Sequence, residues 1–248
     1  MDIVYLLWQR SMRQLSRSWS RTAMSVIVPF AFLILMGAGL SGVVEMPGIA
    51  KNYLLFLIPG MVAVTVMFTG LGHGIELQWD RKFGFLKAVL VAPVSRMEIV
   101  LGHTAGGATT AIIQGLVLLF PALLVGFTFP GLAGFCLAFL FMVLIAISFT
   151  TVGVVIASQI GDSEGFGLAT SLVTLPVFGL SGAIFPISTL PAWVEPVTLI
   201  NPLTYSVEGI RYSLTGMSQI HPAICLAVMA GFCVVTTVGG AYLFRKMR

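Results

Sequence analysis

Residues 131–158 read GLAGFCLAFLFMVLIAISFTTVGVVIAS, and not one of these side chains is charged. A helix needs roughly 20 apolar residues to cross the hydrocarbon core of a bilayer. Only helices and closed barrels satisfy their backbone hydrogen bonds in lipid. The run is continuous rather than alternating, which selects a helix over a barrel strand. Further apolar runs of comparable length lie on either side, at 22–41, 53–75, 99–127, 166–185 and 221–243. The expected fold is an all-α membrane protein of six transmembrane helices. Composition agrees: 58% of the chain is hydrophobic and 9% is charged, against about 25% charge in soluble domains. The segments between the runs are too short to build cores of their own, so 1–248 reads as a single transmembrane domain.

Charge placement sets the expected topology. With the N-terminus inside, segments 1–21, 76–98, 159–165 and 244–248 hold 11 of the 13 Lys and Arg, leaving Lys51 and Arg211 outside. An excess of Lys and Arg marks the cytosolic side, so both termini are expected there. The basic pI then reflects topology, and no nucleic-acid partner is expected. The first apolar run follows several arginines, like a signal peptide, but it is longer than such a segment and has no small-residue cleavage site, so it is expected to be retained. Cys136, Cys225 and Cys233 form no CxxC pair and read as small apolar residues.

At 100° per residue, Val4, Trp8, Met12, Leu15 and Trp19 share one face of 1–21, opposite Arg10, Arg13, Arg17 and Arg21. That is an amphipathic helix suited to the membrane interface. The next polar segment, WDRKFGFLKAVLVAPVSRMEIV at 79–100, concentrates charge between two apolar runs. Residues 79–90 have a helical pattern and Pro93 interrupts it. Ser95-Arg96-Met97-Glu98 is a capping box, flanked by Val94 and Ile99 as a hydrophobic staple. The third span should therefore begin sharply at Arg96, rigidly joined to the loop before it.

In 186–220, Trp193 suits an interface, and Asn201 followed by Pro202 reads as a helix cap and first residue. Leu203, Val207, Ile210 and Leu214 then fall on one face, and Glu208 and Arg211 are spaced to pair. A short amphipathic helix is expected here, as part of an external cap. Pro176 should kink the fifth span. Gly70-xxx-Gly74 and Gly102-xxx-Gly106 read as close-packing patterns.

Nucleotide-binding chemistry is missing, since the sequence contains no Gly-Lys pair and hence no phosphate-binding loop of that kind. His73, His103 and His221 are dispersed, without metal-ligand spacing. Gly179-Leu180-Ser181-Gly182 resembles the serine motif of six-span rhomboid proteases. A Ser181–His221 dyad is the alternative function it raises, although Gly and Ser are routine packing residues between membrane helices. A non-transporting membrane assembly subunit is a further alternative. No charged residue stands at the centre of a span, where an ion-driven carrier would place one. The driving energy is therefore expected to enter from a soluble partner.

DRKFGFLKAVLVAPVSRMEIVLG (80–102) resembles the cytosolic loop of ABC-2 type permeases, the membrane subunits of ABC exporters. LSGAIFPISTLPAWVEPVTLINPLTYSVEGIR (180–211) resembles that family's segment around the last external loop. The similarity extends to the six-span layout and is greatest to drug-resistance-type and Nod-factor export permeases of bacteria and archaea. It implies two permease chains, identical or different, around a central path in the plasma membrane. It also implies two separate ATP-binding subunits that carry ATP and Mg, with no cofactor on this chain. By the resemblance, Asp80, Arg81, Phe83, Gly84, Phe85, Leu86, Pro93, Ser95, Arg96 and Glu98 belong to the ATPase-coupling segment. Trp193, Asn201, Pro202, Tyr205, Glu208 and Arg211 belong to the external cap. Lys82 and Ala88 stand where relatives often carry acidic residues, and His103 where a Lys is frequent.

Overall fold

The computed structural model describes residues 3–40, 53–84, 95–124 and 131–245. Every regular element among them is helical. Helix α1 spans Ile3–Arg17, α2 Trp19–Leu40, α3 Tyr53–Gly72, α4 Gly74–Lys82 and α5 Arg96–Leu124. Beyond these lie α6 (Gly131–Gln159), α7 (Ser163–Gly179), α8 (Glu195–Ile200), α9 (Pro202–Thr215) and α10 (Pro222–Arg245), with a 3-10 turn at Ile187–Thr189 before α8.

Four described stretches are long and apolar enough to cross a bilayer: Tyr53–Asp80, Met97–Phe120, Gly131–Gln159 and Pro222–Leu243. Helix α2 contributes a shorter apolar stretch, Val26–Gly37. The expected span at 166–185 is shifted and shortened. Asp162 caps α7 early, its carboxylate accepting from the Gly165 N–H at 2.7 Å. The helix then stops at Gly179, where Leu180 N–H returns to the Pro176 carbonyl and the chain turns through Gly182 at φ +69°. At 17 residues α7 is about 26 Å long.

Helices α3 and α6 form the middle of the bundle. Ile58, Met61, Val62, Val66 and Met67 from α3 are buried together with Phe141, Met142, Ile145 and Phe149 from α6. Apolar side chains gain little by leaving lipid for one another, so membrane helices associate through close packing and buried hydrogen bonds. Both devices appear here. A side chain at Gly70 would strike Thr150, and one at Gly74 would strike the Gly153 backbone. Gln78 is fully buried and donates from Nε2 to the carbonyls of Ala157 and Ile160, at 2.8 and 2.5 Å.

Helix α9 departs from expectation. It begins as the sequence predicts: Asn201 Oδ1 accepts from Leu203 N–H at 3.0 Å, and Pro202 is the first helical residue. It is not a surface amphipathic helix, however. Leu203, Val207, Ile210 and Leu214 are buried, and so are Thr204, Ser206, Glu208, Arg211 and Ser213 on its other sides. It packs among α3, α6 and α10, with Gly209 against the Phe141 ring. The polar face survives burial because its groups find partners inside the protein.

Candidate functional site

The segment singled out for coupling begins where α4 ends. Phe83 N–H closes the last turn on the Trp79 carbonyl at 2.9 Å. Gly84 then adopts φ +77°, a left-handed conformation that favours glycine and terminates the helix. Of the helix expected over 79–90, residues 79–82 are helical and Gly84 ends that turn, while 85–90 lie outside the described residues. Phe85, Leu86, Pro93 and the staple residue Val94 lie outside the described residues. Phe83 is 83% exposed.

On the far side of the connection, α5 starts at Arg96 and the capping box is formed. The Ser95 N–H donates to Glu98 Oε2 at 2.7 Å, and the Glu98 N–H donates to the Ser95 hydroxyl at 3.2 Å. Two otherwise orphaned amides are satisfied reciprocally.

Asp80 faces inward. Its residue is 2% exposed, and its carboxylate accepts two hydrogen bonds from the Arg10 guanidinium, at 2.5 and 2.6 Å. Such a two-toothed pair combines charge with fixed geometry. His103 on α5 approaches the same carboxylate, with Nε2 3.7 Å from Oδ2. Hydrogen bonding to Asp80 raises the Arg10 guanidinium above its ordinary pKa, partly opposed by burial.

Helix α1 is held against α5 as well. Leu7 and Ser11 are buried, facing Gly102 and Gly106, where any side chain would collide with them. The Trp8 indole N–H donates to the Thr109 hydroxyl at 3.1 Å. So the buried face of α1 centres on Leu7 and Ser11, with Val4, Trp8, Met12 and Leu15 only half-buried beside it. Arg10, read with the basic face, turns into the protein. Arg13 stays exposed. The sequence carried one signal for this contact, the Gly102-xxx-Gly106 pattern. It carried none for the pairing of Arg10 with Asp80, because residues that far apart meet only after folding.

Beside this contact Ser11, Gln14, Leu15 and Ser18 of the N-terminal segment, Glu76 of α4, and Thr110 and Gln114 of α5 line a polar cavity of about 40 Å³. That is room for roughly three water molecules. His73 is buried at the α3–α4 junction, its Nε2 3.5 Å from Glu76 Oε2.

A second polar cluster lies near the other end of α3, roughly 36 Å away by helical rise. Arg211 forms an ion pair with Glu208, and its Nη2 donates to the Gly182 carbonyl at 2.9 Å. Its guanidinium lies 3.9 Å from the centre of the Phe56 ring. Glu208 Oε2 in turn accepts from Gln219 N–H at 2.5 Å. The pair foreseen at i, i+3 is present, but Arg211 is 4% exposed and Glu208 is fully buried. Burial lowers the Arg211 pKa, opposed by Glu208. Four segments of chain meet here: α3, the turn after α7, α9 and the stretch before α10.

The other cap residues are placed individually. Trp193 is 77% exposed. The Tyr205 hydroxyl donates to the Leu199 carbonyl at 2.7 Å, and Asn201 Nδ2 donates to Val177 at 2.7 Å. Ser181 and His221 are each engaged within their own turn. The buried Ser181 hydroxyl donates to the Phe178 carbonyl at 2.7 Å, and His221 Nδ1 accepts from Ala223 N–H at 3.3 Å.

Fold and helix lengths together define an all-helical membrane protein, with two buried polar clusters among its described residues. Residues 3–215 match the ABC-2 type transporter family, and the chain belongs to that family. Similar proteins include the putative transport permease ycf38 of Porphyra purpurea, 32% identical over 83% of this chain and 72% of that protein. Nodulation protein J of Rhizobium meliloti (strain 1021) is 28% identical over 96% of this chain and 93% of its own length. The inner membrane transport permease YadH of Escherichia coli (strain K12) is 22% identical, covering 92% of this chain and 89% of that one. The chain is therefore a membrane transport permease, and its family implies partnership within an ABC transporter.

Proposed function

We propose that this chain is the permease subunit of an ATP-driven exporter, one transmembrane domain over 1–248. Two copies of a separate ATP-binding subunit hold ATP and Mg and perform the hydrolysis. A second permease chain, most simply an identical copy, completes the path, and a different permease could take that place. Helices α2 and α7 complete a set of six spans in the plasma membrane, with both termini cytosolic. The cargo is hydrophobic or amphipathic: a drug, a lipid or a lipid-linked glycan.

The observation that carries this reading is the family match together with the sharply bounded connection between α4 and α5. Gly84 ends one helix and the Ser95–Glu98 box starts the next. A segment bounded so firmly passes force to both helices. Phe83, exposed at its start, offers an apolar contact to a soluble partner. Apolar side chains exposed along α7, at Leu168, Leu172 and Leu175, suit lipid or a greasy cargo.

In this reading Arg81, Phe83, Gly84, Phe85, Leu86 and Pro93 meet the ATPase, while Ser95, Arg96 and Glu98 join that contact to α5. Asp80 serves from inside. The outer residues from Trp193 to Arg211 close the path. Charge reversal at Arg81 combined with Phe85→Ala should abolish capture of the partner ATPase, while the membrane chain keeps its melting temperature. Capture at wild-type yield by that double variant would remove the contact assignment.

A further inference from the structure

We infer that Arg10 and Asp80 are a positioning pair that makes α1 a brace across both ends of the α4–α5 connection, so that motion of the connection is carried into α1. The inference rests on the transporter reading above and adds to it a named link.

One end of the connection is α4, and Asp80 in its last turn is gripped by Arg10 through two hydrogen bonds. The other end is α5, and α1 is seated on it through Leu7 at Gly102, Ser11 at Gly106, and the Trp8–Thr109 hydrogen bond. His103 of α5 stands beside the same carboxylate, its Nε2 3.7 Å from Oδ2, beyond hydrogen-bond distance. Three helices therefore converge on one buried oxygen pair. Across the junction to α2 the helix is interrupted at Ser18, whose hydroxyl donates to Gln14 at 2.7 Å. α1 is thus fastened to the two helices flanking the connection and jointed where it leaves them. A push on the connection moves α1 with α4 and α5 as one body.

The two partners are unequal. The Arg10 side chain is 40% exposed and that of Asp80 is 2% exposed. Released from its partner, Arg10 can turn to water, whereas Asp80 would remain a buried charge without its main compensation. Removing the arginine alone should therefore harm folding more than neutralising the aspartate. Coupling, in contrast, should be lost in either case.

The test uses the full chain assembled with its ATPase in lipid nanodiscs. A fluorophore is placed on a cysteine introduced at Tyr5, an exposed position of α1, in a background without the native cysteines. The readout is the fluorescence change on adding ATP, measured beside ATPase capture. For Asp80→Asn and for the paired Arg10→Leu with Asp80→Leu, the signal is read per captured ATPase. Their ATP-driven signal should fall about threefold or more, as for loss of one coupling contact. The swapped pair, Arg10→Asp with Asp80→Arg, should recover at least part of it. A full signal from a well-assembled Asp80→Asn chain would overturn the brace. If the unaltered chain captures no ATPase, the transporter reading falls and the brace falls with it. Capture without any ATP-driven signal in the unaltered chain overturns the brace alone.

Discussion

Arg211 and Arg10 carry the same charge into different surroundings, and burial decides what each is worth. Arg211 is 4% exposed and balanced by Glu208, Gly182 and Phe56. Removing one member of such a pair leaves an uncompensated buried charge, at a cost of about 3–5 kcal/mol. Arg211→Leu should therefore lower the melting temperature sharply in detergent. Glu208→Leu added to it should restore much of the loss, because two matched apolar groups bury no charge. A double variant less stable than the single one would contradict the account. Ser181 behaves otherwise. Its hydroxyl serves only its own turn, with Phe178 as acceptor and Ala183 N–H as donor. Ser181→Ala should leave cargo export within about twofold of wild type and cost roughly 1 kcal/mol of stability. Loss of all activity on that change would revive the serine-nucleophile alternative.

The α5 helix shows how much of an element is written locally. Its start at Arg96 was legible because a capping box needs only four consecutive residues, and both hydrogen bonds of the box are formed. Ser95→Ala should cost about 1 kcal/mol. The loss should appear as faster hydrogen exchange in the first turn of α5, with the rest of the helix unchanged. Unchanged protection of the Glu98 amide would show that the cap is dispensable. The face of an element is harder to read than its ends. Periodicity placed Leu203, Val207, Ile210 and Leu214 together, and they are buried. It could not tell that the opposite side of α9 is buried too, since Glu208 and Arg211 look the same whether water or Gly182 receives them. On α1 the buried residues are Leu7 and Ser11, selected by the glycines of a helix far away in sequence. Gly106→Leu should pry α1 from α5 and break the Trp8–Thr109 hydrogen bond, detectable as a red shift of Trp8 emission in a chain without the other tryptophans.

For the whole molecule, the expected topology makes the sharpest prediction. Single cysteines at exposed Trp193 or Gln219 should react with an impermeant maleimide added to intact cells, and one at exposed Ser95 only after lysis. The reverse pattern would invert the assigned orientation and end the idea that 83–95 meets a cytosolic ATPase. The sequence by itself determined that the chain is helical and lives in lipid, because long uncharged runs leave the backbone no other way to satisfy itself there. It also determined where α5 and α9 start, because a cap acts within a few residues. Only the tertiary structure decided which charges are buried and whom they hold. It set Asp80 against Arg10, sank Glu208 and Arg211 into the bundle, and ended α7 short of its apolar run. The physical reason is that a charge is tolerated out of water only where a partner stands within a few ångströms, and such partners are brought together by packing between segments that the linear sequence keeps apart.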